Sequence, residues 1–123
     1  MIRGAVLGSP ISHSLSPLLH NEAFLFLGIE GTYRAIEVPS GTLASFVKEQ
    51  SESFEYFSLT MPLKEEVLSL GIETDTRTIE IQSANTLYKR DSLFQLTSTD
   101  GSGFLSALAY EGATSFNRVL ILG

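Results

Sequence analysis

Short apolar segments that read as strands alternate along this chain with segments of helical period. That alternation constrains the fold more than any other feature, because it implies an α/β domain built on a mostly parallel sheet. Residues 3–8 form the first strand candidate, with Ala5, Val6 and Leu7 at its centre. Residues 17–27 follow as a helix whose apolar positions recur at Leu19, Ala23, Phe26 and Leu27. Ser16 is the expected N-cap, Pro17 suits the first helical position, and Gly28 supplies the stop. Residues 32–38 alternate as a strand, residues 42–49 place Leu43, Phe46 and Val47 on one helical face, and residues 55–61 form a third strand. Residues 62–70 form a third helix closed by Gly71. Residues 73–83 fit either a short helix or a strand, and residues 86–90 and 93–99 read as a hairpin turning at Asp91-Ser92. A fourth helix is expected over residues 103–110. The run Arg118-Val119-Leu120-Ile121-Leu122 has the pattern of a buried strand and meets Gly123 where a crossover is expected. The expectation is therefore a first domain followed by the opening strand of a second.

Composition narrows the function. A chain of 123 residues suits one compact domain, and 43% hydrophobic against 18% charged residues favours a packed core over disorder. No apolar run approaches the roughly 20 residues of a membrane span. The amino terminus lacks a signal-peptide layout, so a cytoplasmic protein is expected. The absence of cysteine excludes disulfides, thiolate metal sites and a thiol nucleophile. A net charge of −6 argues against nucleic acid or an anionic membrane as partner. His13 and His20 are seven residues apart with no carboxylate or cysteine to complete a metal site, so no metal is expected.

Four segments can carry chemistry, and each also has a plain structural reading. Residues 8–17 join the first strand to the first helix, where free backbone N–H groups suit a carboxylate. Ser14 and Ser16 there could donate to one anion, or serve as turn and cap residues. Residues 58–64 make a second strand-to-helix junction carrying Ser58, Thr60 and Lys64. Lys64 falls in a first helical turn, where a cation opposes the dipole; it is either used in proton transfer or solvated. Asn85, in Ser83-Ala84-Asn85-Thr86, offers both a donor and an acceptor, or closes a turn. Asp100, in residues 98–104, precedes a helix and could simply cap it. Gly101 and Gly103 do not make a dinucleotide loop, because Ser106 takes the third glycine position and the βαβ frame is absent.

Taken together, the four segments resemble the shikimate dehydrogenase family. Its pattern G-x-P-x-x-H-S-x-S-P-x-x-H-N is matched by Gly8, Pro10, His13, Ser14, Ser16, Pro17, His20 and Asn21. T-x-P-x-K is matched by Thr60, Pro62 and Lys64, the A-x-N-T element appears as Ser83-Ala84-Asn85-Thr86, and the N-T-D-x-x-G element appears as Ser98-Thr99-Asp100-Gly101-Ser102-Gly103. Ser58 and Ser98 stand where asparagine is usual, and Ser83 where glycine is common. The resemblance implies a three-layer α/β/α substrate-binding domain with a mixed, mostly parallel sheet over residues 1–117. It implies that residues 118–123 open an NADP-binding Rossmann domain, with Gly123 as the first cofactor-binding glycine. The implied reaction is the reversible reduction of 3-dehydroshikimate to shikimate with NADPH, in the pathway to the aromatic amino acids. Lys64 and Asp100 would be catalytic; Ser14, Ser16, Ser58, Thr60, Lys64, Asn85 and Asp100 would hold the substrate. A quinate/shikimate dehydrogenase using NAD and a non-catalytic small-molecule-binding domain are the competing readings. The expected oligomeric state is a monomer or homodimer.

Overall fold

A computed structural model describes residues 1–122. Six strands form one sheet in the order β2-β1-β3-β5-β6-β4: β1 is Ile2–Gly8, β2 Gly31–Glu37, β3 Tyr56–Leu59, β4 Glu73–Thr74, β5 Thr86–Arg90 and β6 Leu93–Thr97. The helices are α1 (Ser16–Leu27), α2 (Leu43–Gln50), α3 (Leu63–Glu66), α4 (Thr76–Ile81) and α5 (Asp100–Tyr110), with a 3₁₀ turn over Val67–Leu70. β1 pairs in parallel with β2 and β3, and β4 in parallel with β6. β5 is antiparallel to β3 and β6. The sheet is thus mixed with parallel pairings in the majority, as the alternation and the hairpin together predict.

Alternate residues of β1 feed two cores, one on each face of the sheet. Ala5 and Leu7 join Phe57, Leu59 and Leu87 with Leu43, Val47, Leu63 and Val67 from the helical layer beyond. Val6 joins Ile11 and Tyr33 on the opposite face, with Phe24 of α1 packed against them. These two cores make the three layers.

Several sequence expectations change in detail. The stripe Leu19, Phe26 and Leu27 does not face the core: these residues are 67, 88 and 63% exposed. Ala23 is exposed as well, while His20, Asn21 and Phe24 turn inward. Both sides of α1 carry apolar residues, so periodicity alone could not choose the inner one. Ser16 does not cap α1; it is the first helical residue, and its amide donates to Ser14 Oγ at 3.3 Å. The ambiguous stretch contains both elements, a two-residue strand and then α4, whose N-cap Asp75 accepts from the Thr78 amide at 2.7 Å. At the hairpin, Asp91 and Ser92 both adopt positive φ, at 50° and 67°. This is the left-handed pair that a two-residue turn between twisted strands requires. α5 begins three residues earlier than expected, at Asp100. Residues 118–122 form no strand: they pair with no segment of the sheet, and Val119 to Leu122 are exposed.

Gly8 brings the ends of β1 and β3 together. A Cβ there would lie 2.5 Å from Thr60 Cγ2 and 2.9 Å from the Met61 carbonyl oxygen. Gly8→Ala is therefore expected to destabilise the fold by about 1–3 kcal/mol, because backbone must move to accept the methyl group. Denaturant unfolding of the variant against the parent checks this.

Candidate functional site

The topology gathers the four segments at one edge of the sheet. β1, β3 and β6 run in the same direction, so their carboxyl ends share that edge. β5 runs the other way, so the residue preceding it, Asn85, lies there too. The open ends of parallel strands are where α/β sheets bind ligands. Ser14 and Ser16 follow β1, Thr60 and Lys64 follow β3, and Asp100 follows β6.

Backbone bonds lock these segments to one another. The Thr60 amide donates to the Leu7 carbonyl at 2.9 Å, and the Ser9 amide to the Met61 carbonyl at 3.1 Å. The Leu59 amide donates to the Asn85 carbonyl at 2.8 Å, and the Ala84 amide to the Lys64 carbonyl at 2.8 Å. Ala84 and Leu63 are fully buried, so Asn85 and Lys64 project from anchored backbone.

Three of the expected residues meet directly. Lys64 Nζ lies 2.5 Å from Asp100 Oδ2, and Asn85 Nδ2 donates to Asp100 Oδ1 at 2.8 Å. Each carboxylate oxygen therefore has its own donor. Asn85 is itself held by residue 99: its Nδ2 also donates to Thr99 Oγ1 at 2.9 Å, and its Oδ1 accepts from the Thr99 amide at 3.1 Å and from Thr86 Oγ1 at 2.9 Å. These bonds settle which end of the Asn85 amide carries oxygen. The Lys64 hydrogen bond, more than any other contact, holds the Asp100 carboxyl below its ordinary range; Asn85 adds to this and burial opposes it. The Lys64 and Asp100 side chains remain 34 and 49% exposed, so the pair is open to a ligand. Thr60 and Lys64, with Met61, Pro62, Glu65 and Ser83, line a depression of about 440 Å³.

Ser14, Ser16 and Ser58 share the edge without bonding to this trio. Ser58 is half-buried on the same face of β3 as Tyr56. The Gly123 assignment falls outside the described residues. Thr99, which orients Asn85, was not singled out in the sequence; its place beside Asp100 was the available signal. Also missed was a group beneath the site. His20 stacks on Tyr33 with ring centroids 3.9 Å apart and planes 7° apart, and His20 Nδ1 is 3.0 Å from Tyr56 Oη. Asn21 brackets the Tyr33 backbone, accepting from its amide at 2.9 Å and donating to its carbonyl at 2.8 Å. Only the H-N pair of the motif hinted at this. Among the described residues no cluster of His, Cys, Asp and Glu could hold a metal ion. No helix of the described residues is long and apolar enough to cross a membrane.

Residues 6–87 match the shikimate dehydrogenase substrate binding domain family. The chain belongs to that family. The shikimate dehydrogenase (NADP(+)) of Thermus thermophilus is 37% identical over 123 residues, covering all of this chain and 47% of that protein. The Staphylococcus epidermidis enzyme of the same name is 37% identical over 125 residues, covering 99% of this chain and 46% of its own. The chain thus spans about half the length of the curated relatives it matches. The crystal structure of the Thermus thermophilus enzyme in complex with NADP(H) and shikimate superposes with a TM-score of 0.85 at 38% identity, over 91% of this chain and 43% of that one. The Listeria monocytogenes enzyme in complex with shikimate and NAD gives 0.85 at 29% identity, over 91% and 39%. The substrate-binding domain of this family is accordingly the fold seen here.

The acid behaviour of the trio has a definite sign. Asp100 titrates lower in the folded chain than in the unfolded one, so its pairing contributes stability above the unfolded value of about 3.9 and loses it as pH falls through the lower folded value. Asp100→Asn is expected to lower stability at pH 5–8 by a nearly constant amount, within about 1 kcal/mol for so exposed a pair. The two stability curves should converge below about pH 4. Thermal melts of both proteins across pH 3–8 check the shape.

Proposed function

We propose that this chain is the substrate-binding part of an NADP-dependent shikimate dehydrogenase, which reversibly reduces 3-dehydroshikimate to shikimate. The observation that carries the reading is the Lys64–Asp100–Asn85 group, open to the sheet edge where a polyhydroxy acid would sit. Family membership and the shikimate complexes of similar proteins support it.

Reduction of the ketone adds a hydride to carbon and a proton to oxygen. A nicotinamide cofactor, when bound, supplies the hydride. This chain's residues handle the proton and the substrate's position. Lys64 Nζ, charged and held by Asp100, donates its proton to the oxygen of the forming alkoxide. The neutral amine left behind takes a proton from solvent, and the reverse reaction runs the same steps backwards. Asp100 keeps the lysine aimed and accepts a hydrogen bond from a ring hydroxyl. Asn85, oriented by Thr99, and Thr60 bind further hydroxyls. Ser14 and Ser16, at the start of α1, hold the substrate carboxylate, where helix N–H groups add favourable charge. Ser58 donates to the substrate from β3.

We assign residues 1–117 to the substrate-binding domain and 118–123 to the opening strand of a cofactor domain. The apolar run Val119–Leu122, without a strand partner among the described residues, supports this division. The same reading takes a small molecule as partner in preference to nucleic acid or a membrane, and places the protein in the cytoplasm. The net charge of −6 supports the preference over nucleic acid and an anionic membrane.

Lys64→Ala in the complete enzyme is expected to lower kcat by about 10²–10⁴-fold with little change in KM for shikimate. A kcat near the parent value in steady-state assays with NADP and shikimate would show Lys64 to be a solvated helix lysine. Ser14→Ala is expected to raise KM several-fold with the melting temperature nearly unchanged. The alternative, a purely local role through its bond to the Ser16 amide, predicts a stability loss of up to about 1 kcal/mol and an unaltered KM. Kinetics and thermal melts on the same preparation separate the two.

A further inference from the structure

Ser83 brings a further hydroxyl to the depression lined by Thr60 and Lys64. The residue is half-buried and lies between α4 and β5. Backbone bonds fix its surroundings. The Ala84 amide donates to the Lys64 carbonyl at 2.8 Å, which ties the segment carrying Ser83 to the first turn of α3. The Leu59 amide donates to the Asn85 carbonyl at 2.8 Å, and the Leu63 amide to the Thr60 carbonyl at 2.8 Å. Ala84 and Leu63 are fully buried in one core, and Ser83 and Lys64, the residues beside them, line the depression. Asn85 is engaged with Thr86, Thr99 and Asp100, and the Ser83 hydroxyl takes no part in those bonds.

The rest of the lining selects the kind of group that belongs there. Met61 is 74% exposed and, with Pro62, gives the depression an apolar side. Its volume of about 440 Å³ is within the range of small-molecule sites. A ring with C–H faces and hydroxyls at its edge suits a lining that is part apolar and part polar. Charge then distinguishes the two ends of a polyhydroxy carboxylic acid. The Lys64 ammonium is already paired with the Asp100 carboxylate, and Glu65 adds a further negative charge to the lining. A carboxylate placed in the depression is repelled by Glu65, whereas a neutral hydroxyl is not.

We propose that Ser83 is a further substrate-binding residue, whose hydroxyl bonds a ring hydroxyl of the polyhydroxy acid that presents its reacting oxygen to Lys64. A serine hydroxyl both donates and accepts, so it pairs with a ring hydroxyl in either sense. The hydroxyl it recognises is one that the reaction leaves unchanged. The contact is therefore equally strong in the bound substrate and in the transition state, and it sets affinity rather than rate. The substrate carboxylate lies at the other end of the ring, in keeping with its place beside Ser14 and Ser16. Ser83 thus makes the hydroxyl pattern of the ring, beyond the group that is oxidised or reduced, part of what the site selects.

This inference rests on the dehydrogenase reading, and one set of assays tests them apart. The complete enzyme and its Ser83→Ala variant are measured with NADP and shikimate, and then with 4-deoxyshikimate and 5-deoxyshikimate as competitive inhibitors. Ser83→Ala is expected to raise KM for shikimate about three- to ten-fold, the worth of one hydrogen bond, with kcat within about two-fold and the melting temperature unchanged. The deoxy compound that lacks the recognised hydroxyl is expected to inhibit parent and variant equally, while the other loses affinity in the variant as shikimate does. An unchanged KM for shikimate, or an equal loss with shikimate and both deoxy compounds, would overturn the assignment while leaving the dehydrogenase intact. Loss of folding in Ser83→Ala would make the hydroxyl structural and would also overturn it. Absence of shikimate turnover by the parent enzyme would remove both readings.

Discussion

β1 is the member on which the rest of the structure depends. It pairs with β2 on one side and β3 on the other, and it supplies apolar side chains to both cores. Such a strand has no solvent face, which is why Ala5, Val6 and Leu7 form an unbroken apolar run. Two of its positions, Gly4 within the strand and Gly8 at its end, are glycines for steric reasons. Gly4 lets two tyrosine rings cross the strand, and Gly8 lets the segment after β3 come against the segment after β1. The first contact builds the layer under the candidate site, and the second closes the site's edge.

The direction of β5 then decides the chemistry. Had the strand beside β3 run parallel, its preceding loop would lie at the opposite end of the sheet. Because it is antiparallel, Asn85 arrives at the same edge as Lys64 and, through β6, Asp100. A carboxylate with a separate donor on each oxygen is stabilised as the anion, and it in turn fixes the ammonium that would otherwise oppose the start of α3. The local conflict of a lysine in a first helical turn is resolved by a partner 36 residues away.

Anchoring and exposure divide between neighbouring residues. Leu63, Ala84 and Ser98 are buried, whereas Lys64, Asn85 and Thr99–Asp100 beside them stay within reach of solvent. The side chains of the candidate site thus sit one or two residues from packed positions. Glu66 adds a similar anchor at the far end of α3, bonding Ser40 Oγ and the Gly41 amide and tying the loop after β2 to the helical layer. These backbone bonds, more than the polar side chains, hold Glu66 below the ordinary carboxylate range.

Much of this was determined by the sequence alone. Period and punctuation located β1 to β3, α1 to α3 and the hairpin, since local sterics and burial patterns act over a few residues. The four motifs named the family and made Lys64, Asn85 and Asp100 candidate site residues. Three matters needed the tertiary structure. Which side of α1 faces inward was undecidable from spacing, because Leu19 and Phe26 compete with His20 and Phe24, and only the space over Gly4 and Val6 selects the aromatic side. The role of Ser16 depended on where the chain turns into α1, which placed Ser14, not Ser16, as the hydroxyl that accepts a helix amide. The joining of Lys64 to Asp100 and Asn85, and of His20 to Tyr33 and Tyr56, depended on strand order and direction. Strand order is set by long-range burial on both faces of the sheet, and no window of neighbouring residues records it.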